Sequence, residues 1–169
     1  MKAGYKQTEL GEIPKDWEVS DILEIAQIVD GDRGANYPSK SDLNDDGYCL
    51  FLNAGNVTKL GFRFENCEFV SRERDELLNK GKLVRGDIAL TTRGSIGNFA
   101  YYGDFISYDN IRINSGMVLI RNFSKQNYNL FLFYLLRSNV VGKQIERLSF
   151  GSAQPQLTVN GISTLQLLL

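Results

Sequence analysis

Residues Lys82–Gly97 read KLVRGDIALTTRGSIG, and this stretch decides the fold class that we expect. Asp87–Thr92 (DIALTT) is a short apolar run with β-branched residues, which is typical of a strand. A second run, Ile96–Tyr102 (IGNFAYY), follows after a glycine-containing turn. The pattern therefore predicts two strands joined by a turn that carries Arg93 and Ser95.

The same pattern of short strands continues toward the C-terminus. Phe105–Tyr108 and Met117–Arg121 are predicted strands separated by glycine-containing turns. Tyr128–Leu148 is the strongest predicted helix, because its apolar residues recur near helical spacing opposite a basic face. A tight loop, Gly151–Gln156, precedes a final apolar stretch that ends in LQLLL.

The residues before Lys82 give a less uniform pattern of predicted strands and helices. Residues 18–29 place their apolar side chains mostly on one helical face, so we predict a short amphipathic helix there, with a strand as the alternative. Tyr48–Asn53 (YCLFLN) is a predicted strand, and Phe62–Val70 extends a sheet. Residues 71–80 are charged and favour a helix that begins after Ser71.

These elements lack the regular alternation of a doubly wound domain. We therefore predict an α+β fold with a curved, mostly antiparallel β-sheet and a few packed helices. The length of 169 residues fits one domain, so we predict a single domain over residues 1–169.

The charge is uneven along the chain although the net charge is only −1. Residues 1–80 carry ten Lys/Arg and sixteen Asp/Glu, whereas residues 81–169 carry nine and four. The second half is therefore basic, which suits contact with a polyanion.

Several catalytic chemistries are absent from the sequence. The chain has no histidine, which excludes Ser-His-Asp or Cys-His nucleophile pairs and His-ligated zinc. It also lacks a phosphate-binding P-loop, a dinucleotide fingerprint and a visible S-adenosylmethionine motif. We therefore predict that the chain is not an enzyme and has no cofactor and no catalytic residues.

A metal site and a membrane span are also not expected. Asp42–Gly47 (DLNDDG) matches the opening of a calcium-binding EF-hand loop, but Asn53 stands where that loop needs a bidentate glutamate. We predict an acidic surface turn and no metal. The N-terminus has no apolar signal core, and the apolar run Leu130–Leu136 is too short for a bilayer, so we expect a cytoplasmic protein.

Polar residues in predicted turns are the candidates for binding. The turn after DIALTT carries Arg93 and Ser95, and Ile111–Ser115 contains Arg112 and Asn114. Gly151–Gln156 adds two glutamines in a loop stiffened by proline. In the DNA major groove, arginine pairs with guanine, and asparagine or glutamine with adenine.

Three sequence blocks in order resemble a known family. They are LGEIPKDWEV at residues 10–19, KLVRGDIALTTRGSIG at 82–97 and GSAQPQL at 151–157. Over nearly the whole chain, from about Gly4 to Leu169, the sequence resembles one target-recognition domain of a type I restriction–modification specificity (S) subunit.

The resemblance implies partners and a role in a larger complex. Modification (M) subunits methylate adenine, restriction (R) subunits translocate and cleave DNA, and the S subunit supplies sequence specificity. S subunits have two target-recognition domains separated by long helices that dock M. This chain has one such domain, and the resemblance implies that the spacer helix is missing after residue 169.

The main hypothesis is recognition of double-stranded DNA within a complex with M and R, without contact to a membrane. An alternative is a regulatory half-subunit that binds M without reading DNA. The turn at Gly94 and Ser95 and the loop at residues 151–157 could instead shape the fold. The predicted DNA contacts are Arg33, Asn53, Asn56, Lys59, Arg63, Arg93, Ser95, Arg112, Asn114, Ser152 and Gln154.

Overall fold

The computed structural model describes residues 3–123, 128–149 and 155–169. The strands in these residues are β1 (Tyr5–Thr8), β2 (Gly11–Pro14), β3 (Val19–Asp21), β4 (Ala26–Asp30), β5 (Cys49–Leu52), β6 (Val57–Thr58), β7 (Gly61–Phe62), β8 (Phe69–Val70), β9 (Ile88–Thr91), β10 (Phe99–Tyr101), β11 (Ile111–Ile113), β12 (Met117–Asn122) and β13 (Gln166–Leu168). The α-helices are α1 (Ile22–Ile25), α2 (Arg72–Leu77), α3 (Asn129–Leu136), α4 (Asn139–Ser149) and α5 (Val159–Ile162).

Four antiparallel strands in the order β10-β9-β12-β4 form the central sheet. Leu90 of β9 lies opposite Phe99 of β10, which confirms the strand pair predicted from the opening stretch. β10 is shorter than the predicted strand because residues 96–98 belong to the turn. β12 confirms the strand predicted over Met117–Arg121.

Both faces of the central sheet are covered. Ile88 and Ile120 belong to a hydrophobic cluster with helices α3 and α4, whereas Ala89 and Leu119 belong to a second cluster with β5 and β11. A strand that is buried on both faces needs apolar residues without alternation. This explains why β9 and most of β12 read as continuous apolar runs.

A second sheet, in the order β11-β5-β8, forms the other layer. β5 is antiparallel to β8 but parallel to β11, with Ile111 opposite Leu50. The α+β class and the mostly antiparallel pairing are thus confirmed. The expectation of one sheet is wrong, because the strands of the described residues divide among five sheets and include one parallel pair. A second layer is needed to cover the apolar face of β9 and β12.

The helix predicted over residues 18–29 is wrong for most of its length. Only α1 is helical, and it lies between β3 and β4. β3 pairs with β13, and β4 pairs along five residues with β12. These pairings with distant strands override the local helical pattern, as tertiary contacts commonly do.

The single helix predicted over Tyr128–Leu148 is two helices, α3 and α4, separated at Arg137 and Ser138. The hydroxyl of Ser138 accepts a hydrogen bond from the Val141 backbone N–H (3.4 Å). Such a local bond competes with helical hydrogen bonding and begins a new helix. In the part of the chain that is described, no helix has the length and hydropathy to cross a membrane.

Other predicted elements have mixed outcomes. β5 and α2 confirm the strand at Tyr48–Asn53 and the helix after Ser71, whose hydroxyl caps it by accepting from the Arg74 N–H (3.2 Å). The strand predicted at Phe105–Tyr108 is wrong: Phe105 lies in a turn and residues 106–108 belong to no strand. Arg85 Nη1 donates to the carbonyls of Gly103 and Ile106 (both 2.8 Å), so these carbonyls bind a side chain instead of a neighbouring strand. The segment 62–70 contributes β7 and β8 to two different sheets.

The RGD sequence before β9 has a structural role. Asp87 is buried, and its carboxylate accepts from the Val84 N–H (2.9 Å) and from Arg121 Nε and Nη2 (both 2.8 Å). This hydrogen bonding raises the pKa of Arg121. Asp87 therefore fixes the turn into β9 and ties it to β12.

Candidate nucleic-acid interface

The β9–β10 turn (Thr92–Asn98) lies at one end of the central sheet. Gly94 and Gly97 have φ angles of 71° and 83°, a backbone conformation that glycine adopts without strain. The Thr91 hydroxyl donates to the Ser95 carbonyl and accepts from the Asn98 N–H (3.0 Å). The turn is therefore held rigidly, with the side chains of Arg93 and Ser95 exposed.

The turn between β11 and β12 supports the β9–β10 turn. Its Gly116 carbonyl accepts from the N–H groups of Thr92 (2.8 Å) and Arg93 (3.2 Å). Asn114 Oδ1 in turn accepts from the Gly116 N–H (2.9 Å). Asn114 is half-buried, so part of its hydrogen-bonding capacity is used to shape this support.

Arg93 is held from its other side by Gln156. Arg93 Nε donates to Gln156 Oε1 at 3.1 Å, and the neighbouring Leu157 N–H donates to the Thr92 carbonyl (2.9 Å). The segment before α5 is thus attached directly to the β9–β10 turn. Gln156 was a candidate from the sequence only as one of two glutamines in a loop with proline, and it was not among the predicted DNA contacts.

A cleft of about 300 Å³ opens beside Arg93, and we call it the Arg93 cleft. Asp30, Arg33, Gln156 and Thr158 also line it. Arg33 Nη2 donates to Asp30 Oδ1 at 3.0 Å, and both side chains are partly exposed. An ion pair of this kind contributes little to stability, so the Arg33 guanidinium can exchange this partner for another anion.

The loop that carries Arg33 is tightly attached to the rest of the interface. A Cβ on Gly31 would lie 2.5 Å from the Asn114 carbonyl oxygen, so glycine permits the close approach of these segments. Asp32 accepts from the N–H groups of Gly34 and Asn79 (both 2.8 Å), and these bonds lower its pKa. Asp32 therefore anchors the loop.

A second cleft, of about 410 Å³, lies on the opposite side of the β9–β10 turn, and we call it the Lys59 cleft. Lys59, Gly97, Arg137 and Glu146 are among the residues that line it. Arg137 Nη2 donates to the Lys59 carbonyl at 2.7 Å, which brings the two cations together. Arg137 was not predicted as a site residue, because the sequence places it on the exposed basic face of the helix predicted over Tyr128–Leu148.

Two predicted DNA contacts are wrong because the side chains are buried. Asn56 is 1% exposed; its Nδ2 donates to the Arg63 carbonyl (3.0 Å) and its Oδ1 accepts from the Asn53 N–H (3.0 Å). Arg112 is 5% exposed, and its guanidinium pairs with Asp75. Both side chains stabilise the fold from inside.

The remaining predicted residues lie in different places. Asn53 is half-buried and caps the short helical turn at residues 54–56 by accepting from the Gly55 N–H (2.9 Å). Arg63 is exposed, and its Nε lies 3.9 Å from Glu65 Oε2. It lines neither cleft. Ser152 and Gln154 lie outside the described residues. The structure thus brings together Arg33, Arg93, Ser95 and Lys59 around one turn.

The positive charge of the second half is less available than its sequence suggests. Lys82 and Arg112 both pair with Asp75, Arg85 pairs with Asp109, and Arg121 pairs with Asp87. These cations therefore neutralise acidic groups of the fold. The exposed basic side chains that remain in the described second half are Arg93, Arg137, Lys143 and Arg147.

Comparisons with known proteins show clear relatives. A family model described as "Type I restriction modification DNA specificity domain" matches residues 14–169. The specificity subunit of the type I restriction enzyme MjaVIII from Methanocaldococcus jannaschii is 32% identical over 161 residues. That match covers 90% of this chain and 35% of the relative.

Solved structures share the fold. The HsdS subunit of Thermoanaerobacter tengcongensis has a TM-score of 0.63 at 14% identity, covering 98% of this chain and 36% of that one. A chain from a structure that concerns complex assembly and conformational transition of the type I R-M system has a TM-score of 0.64 at 16% identity, with the same coverage. This chain thus spans about a third of the length of these relatives.

Proposed function

Because this chain belongs to the family of type I restriction modification DNA specificity domains, we propose that it recognises a DNA sequence as one target-recognition domain of a specificity subunit. Residues 1–169 form that single domain. Its partners are double-stranded DNA, the M subunit and, through the complex, the R subunit. Its role is to direct adenine methylation and restriction by those subunits rather than to catalyse either, and it acts in the cytoplasm.

The observation that carries this proposal is the rigid β9–β10 turn with cationic clefts on both sides. Arg93 and Ser95 are exposed on the turn, Arg33 lies in the Arg93 cleft, and Lys59 and Arg137 lie in the Lys59 cleft. Cations that flank exposed hydrogen-bonding groups suit DNA, because phosphate contacts set the position and base contacts set the specificity. The relatives, which are named specificity subunits, support the same role.

The proposed DNA contacts fall into base contacts and phosphate contacts. We assign base contact to Arg93 and Ser95, and phosphate contact to Arg33, Lys59 and Arg137. Asn53, Arg63, Asn114, Ser152 and Gln154 stay proposed DNA contacts without an assignment to base or phosphate. The regulatory alternative, which binds M without reading DNA, is not favoured by the relatives.

The test uses the full gene product that carries this chain, expressed with its M subunit. Sequencing that locates methylated adenines in the host genome gives the recognised motif. We expect methylation confined to a defined sequence, and we expect Arg93→Ala to relax one position of that sequence. Lys15→Ala, which removes an exposed cation in the turn after β2, is the control and should leave the motif unchanged. Methylation without sequence preference in the wild type would overturn the proposal.

A further inference from the structure

The guanidinium of Arg93 is bound on one side and open on the other. Gln156 Oε1 accepts from Nε at 3.1 Å, and the two Nη groups make no hydrogen bond or ion pair within residues 3–123, 128–149 and 155–169. Arginine presents its donors in a fixed plane. With Nε bound to Gln156, the donors of the Nη groups are therefore available for a ligand as far as the described residues go.

Backbone hydrogen bonds fix the segments that carry Arg93 and Gln156. The Thr92 and Arg93 N–H groups bind the Gly116 carbonyl, and the Thr92 carbonyl binds the Leu157 N–H. Gln156 stands between Pro155, whose ring fixes φ, and buried Leu157. A guanidinium held in one orientation binds a matching ligand more tightly than a freely rotating one, because less conformational entropy is lost on binding.

The ligand that matches a planar pair of donors is guanine, whose N7 and O6 acceptors face the major groove. Phosphate also accepts such a pair of donors. Other exposed cations suit phosphate contact, with Arg33 in the same cleft and Lys59 and Arg137 in the Lys59 cleft. Arg93, which lies between them on the turn, is thus left for a base edge.

We propose that Arg93 reads a guanine in the recognised sequence and that Gln156 is the positioning residue that orients it. This inference rests on the proposed DNA recognition and names the base that the Arg93 cleft accepts. Gln156 acts through Arg93 and not by contact with the base.

The experiment measures the methylated motif and DNA binding for the full complex that contains this chain. Gln156→Leu removes the acceptor at similar size, and Gln156→Glu keeps an oxygen acceptor at the same place. Arg93→Lys keeps the charge but loses the paired donors. The matched control is Gln7→Leu, an exposed glutamine on β1.

We expect Arg93→Lys to reduce the preference for guanine at one position by about 5- to 150-fold, the range for one bidentate base contact. Gln156→Leu should reduce the preference at that same position, whereas Gln156→Glu and Gln7→Leu should retain it. The slope of log affinity against log salt should stay unchanged for Gln156→Leu, since no phosphate contact is lost.

Three results would overturn the inference while leaving DNA recognition intact. The first is an unchanged motif in Arg93→Lys. The second is a weaker affinity for all sequences with the motif preserved, which would make Arg93 a phosphate contact. The third is that Gln156→Leu preserves the recognised motif although Arg93→Lys relaxes it. A wild-type complex without any sequence preference would instead overturn the proposed function itself.

Discussion

The guanidinium of Arg112 on β11 is bound to the carboxylate of Asp75 on α2, and both side chains are buried. The remaining donors of Arg112 bind the carbonyls of Asp75 (2.8 Å), Leu78 (2.9 Å) and Lys80 (2.7 Å), which close the C-terminal end of α2. Lys82 binds the other carboxylate oxygen of Asp75. One arginine thus joins a helix end to the parallel strand pair of β5 and β11.

The first prediction concerns the stability that depends on this pair. Arg112→Leu leaves a buried carboxylate with one partner fewer, so the free energy of unfolding should fall by about 3–5 kcal/mol. Urea denaturation measures this loss. Arg33→Leu breaks the partly exposed pair with Asp30 and should cost about 1 kcal/mol or less. Equal effects of the two substitutions would contradict the distinction between a buried and a surface arginine.

The second prediction is a pH dependence. Burial opposes ionisation of Asp75, but its bonds to Lys82 and Arg112 keep its pKa below the usual value. The N–H groups of Gly34 and Asn79 likewise lower the pKa of Asp32.

A lowered native pKa means that the unfolded state binds more protons in acid. The resulting stability is present above the unfolded pKa of about 4 and is lost as the pH falls through the native values. Urea midpoints should therefore decrease below about pH 4. Asp75→Asn and Asp32→Asn should each make that decrease shallower, and an unchanged slope would contradict the assignment.

The third prediction compares two glycines, one in a crowded position and the other beside open space. An alanine at Gly31 would place Cβ 2.5 Å from the Asn114 carbonyl oxygen, so Gly31→Ala should destabilise the protein by about 1–3 kcal/mol. Gly142 lies in α4 with open space around its Cβ position, so Gly142→Ala should stabilise by about 0.5–1 kcal/mol. Thermal melts of the two variants check the signs, and a Gly31→Ala variant as stable as the wild type would refute the close approach at Gly31.

The fourth prediction concerns the cysteines. Burial raises the pKa of Cys49 to about 12, and its side chain is inaccessible to solvent. Cys67 is half-buried, and desolvation also raises its pKa. Because the thiolate is the reactive form, iodoacetamide at pH 8 should modify Cys67 slowly and Cys49 only after unfolding. Mass spectrometry of native and denatured protein measures both rates, and fast labelling of native Cys49 would count against the described core.

The fifth prediction tests the Lys59 cleft as a phosphate contact in the full complex. Lys59→Gln and Arg137→Gln should each lower the slope of log affinity against log salt by about 1 and leave the recognised motif unchanged. Lys15→Gln, in the turn after β2, serves as the charge-matched control and should change neither quantity. A changed motif in either cleft variant would make that residue a base contact.

The outcomes at individual residues show why sequence reasoning succeeded in part. The strand pair β9–β10 was predicted because a short apolar hairpin is encoded by neighbouring residues and its turn. The helix over residues 18–29 was wrong because β3 and β4 pair with β13 and β12, which are far away in sequence. Arg93 and Arg112 are both arginines near predicted turns, yet one is exposed and the other is buried against Asp75.

The sequence by itself determined the family, the α+β class and the lack of histidine chemistry, since these depend on composition and on local motifs in order. Only the tertiary structure decided which basic residues are available to a ligand. A side chain's availability depends on partners from other elements, as with Arg112 and Asp75, or Arg93 and Gln156. Such pairings across 37 and 63 residues are created by packing and have no local signal.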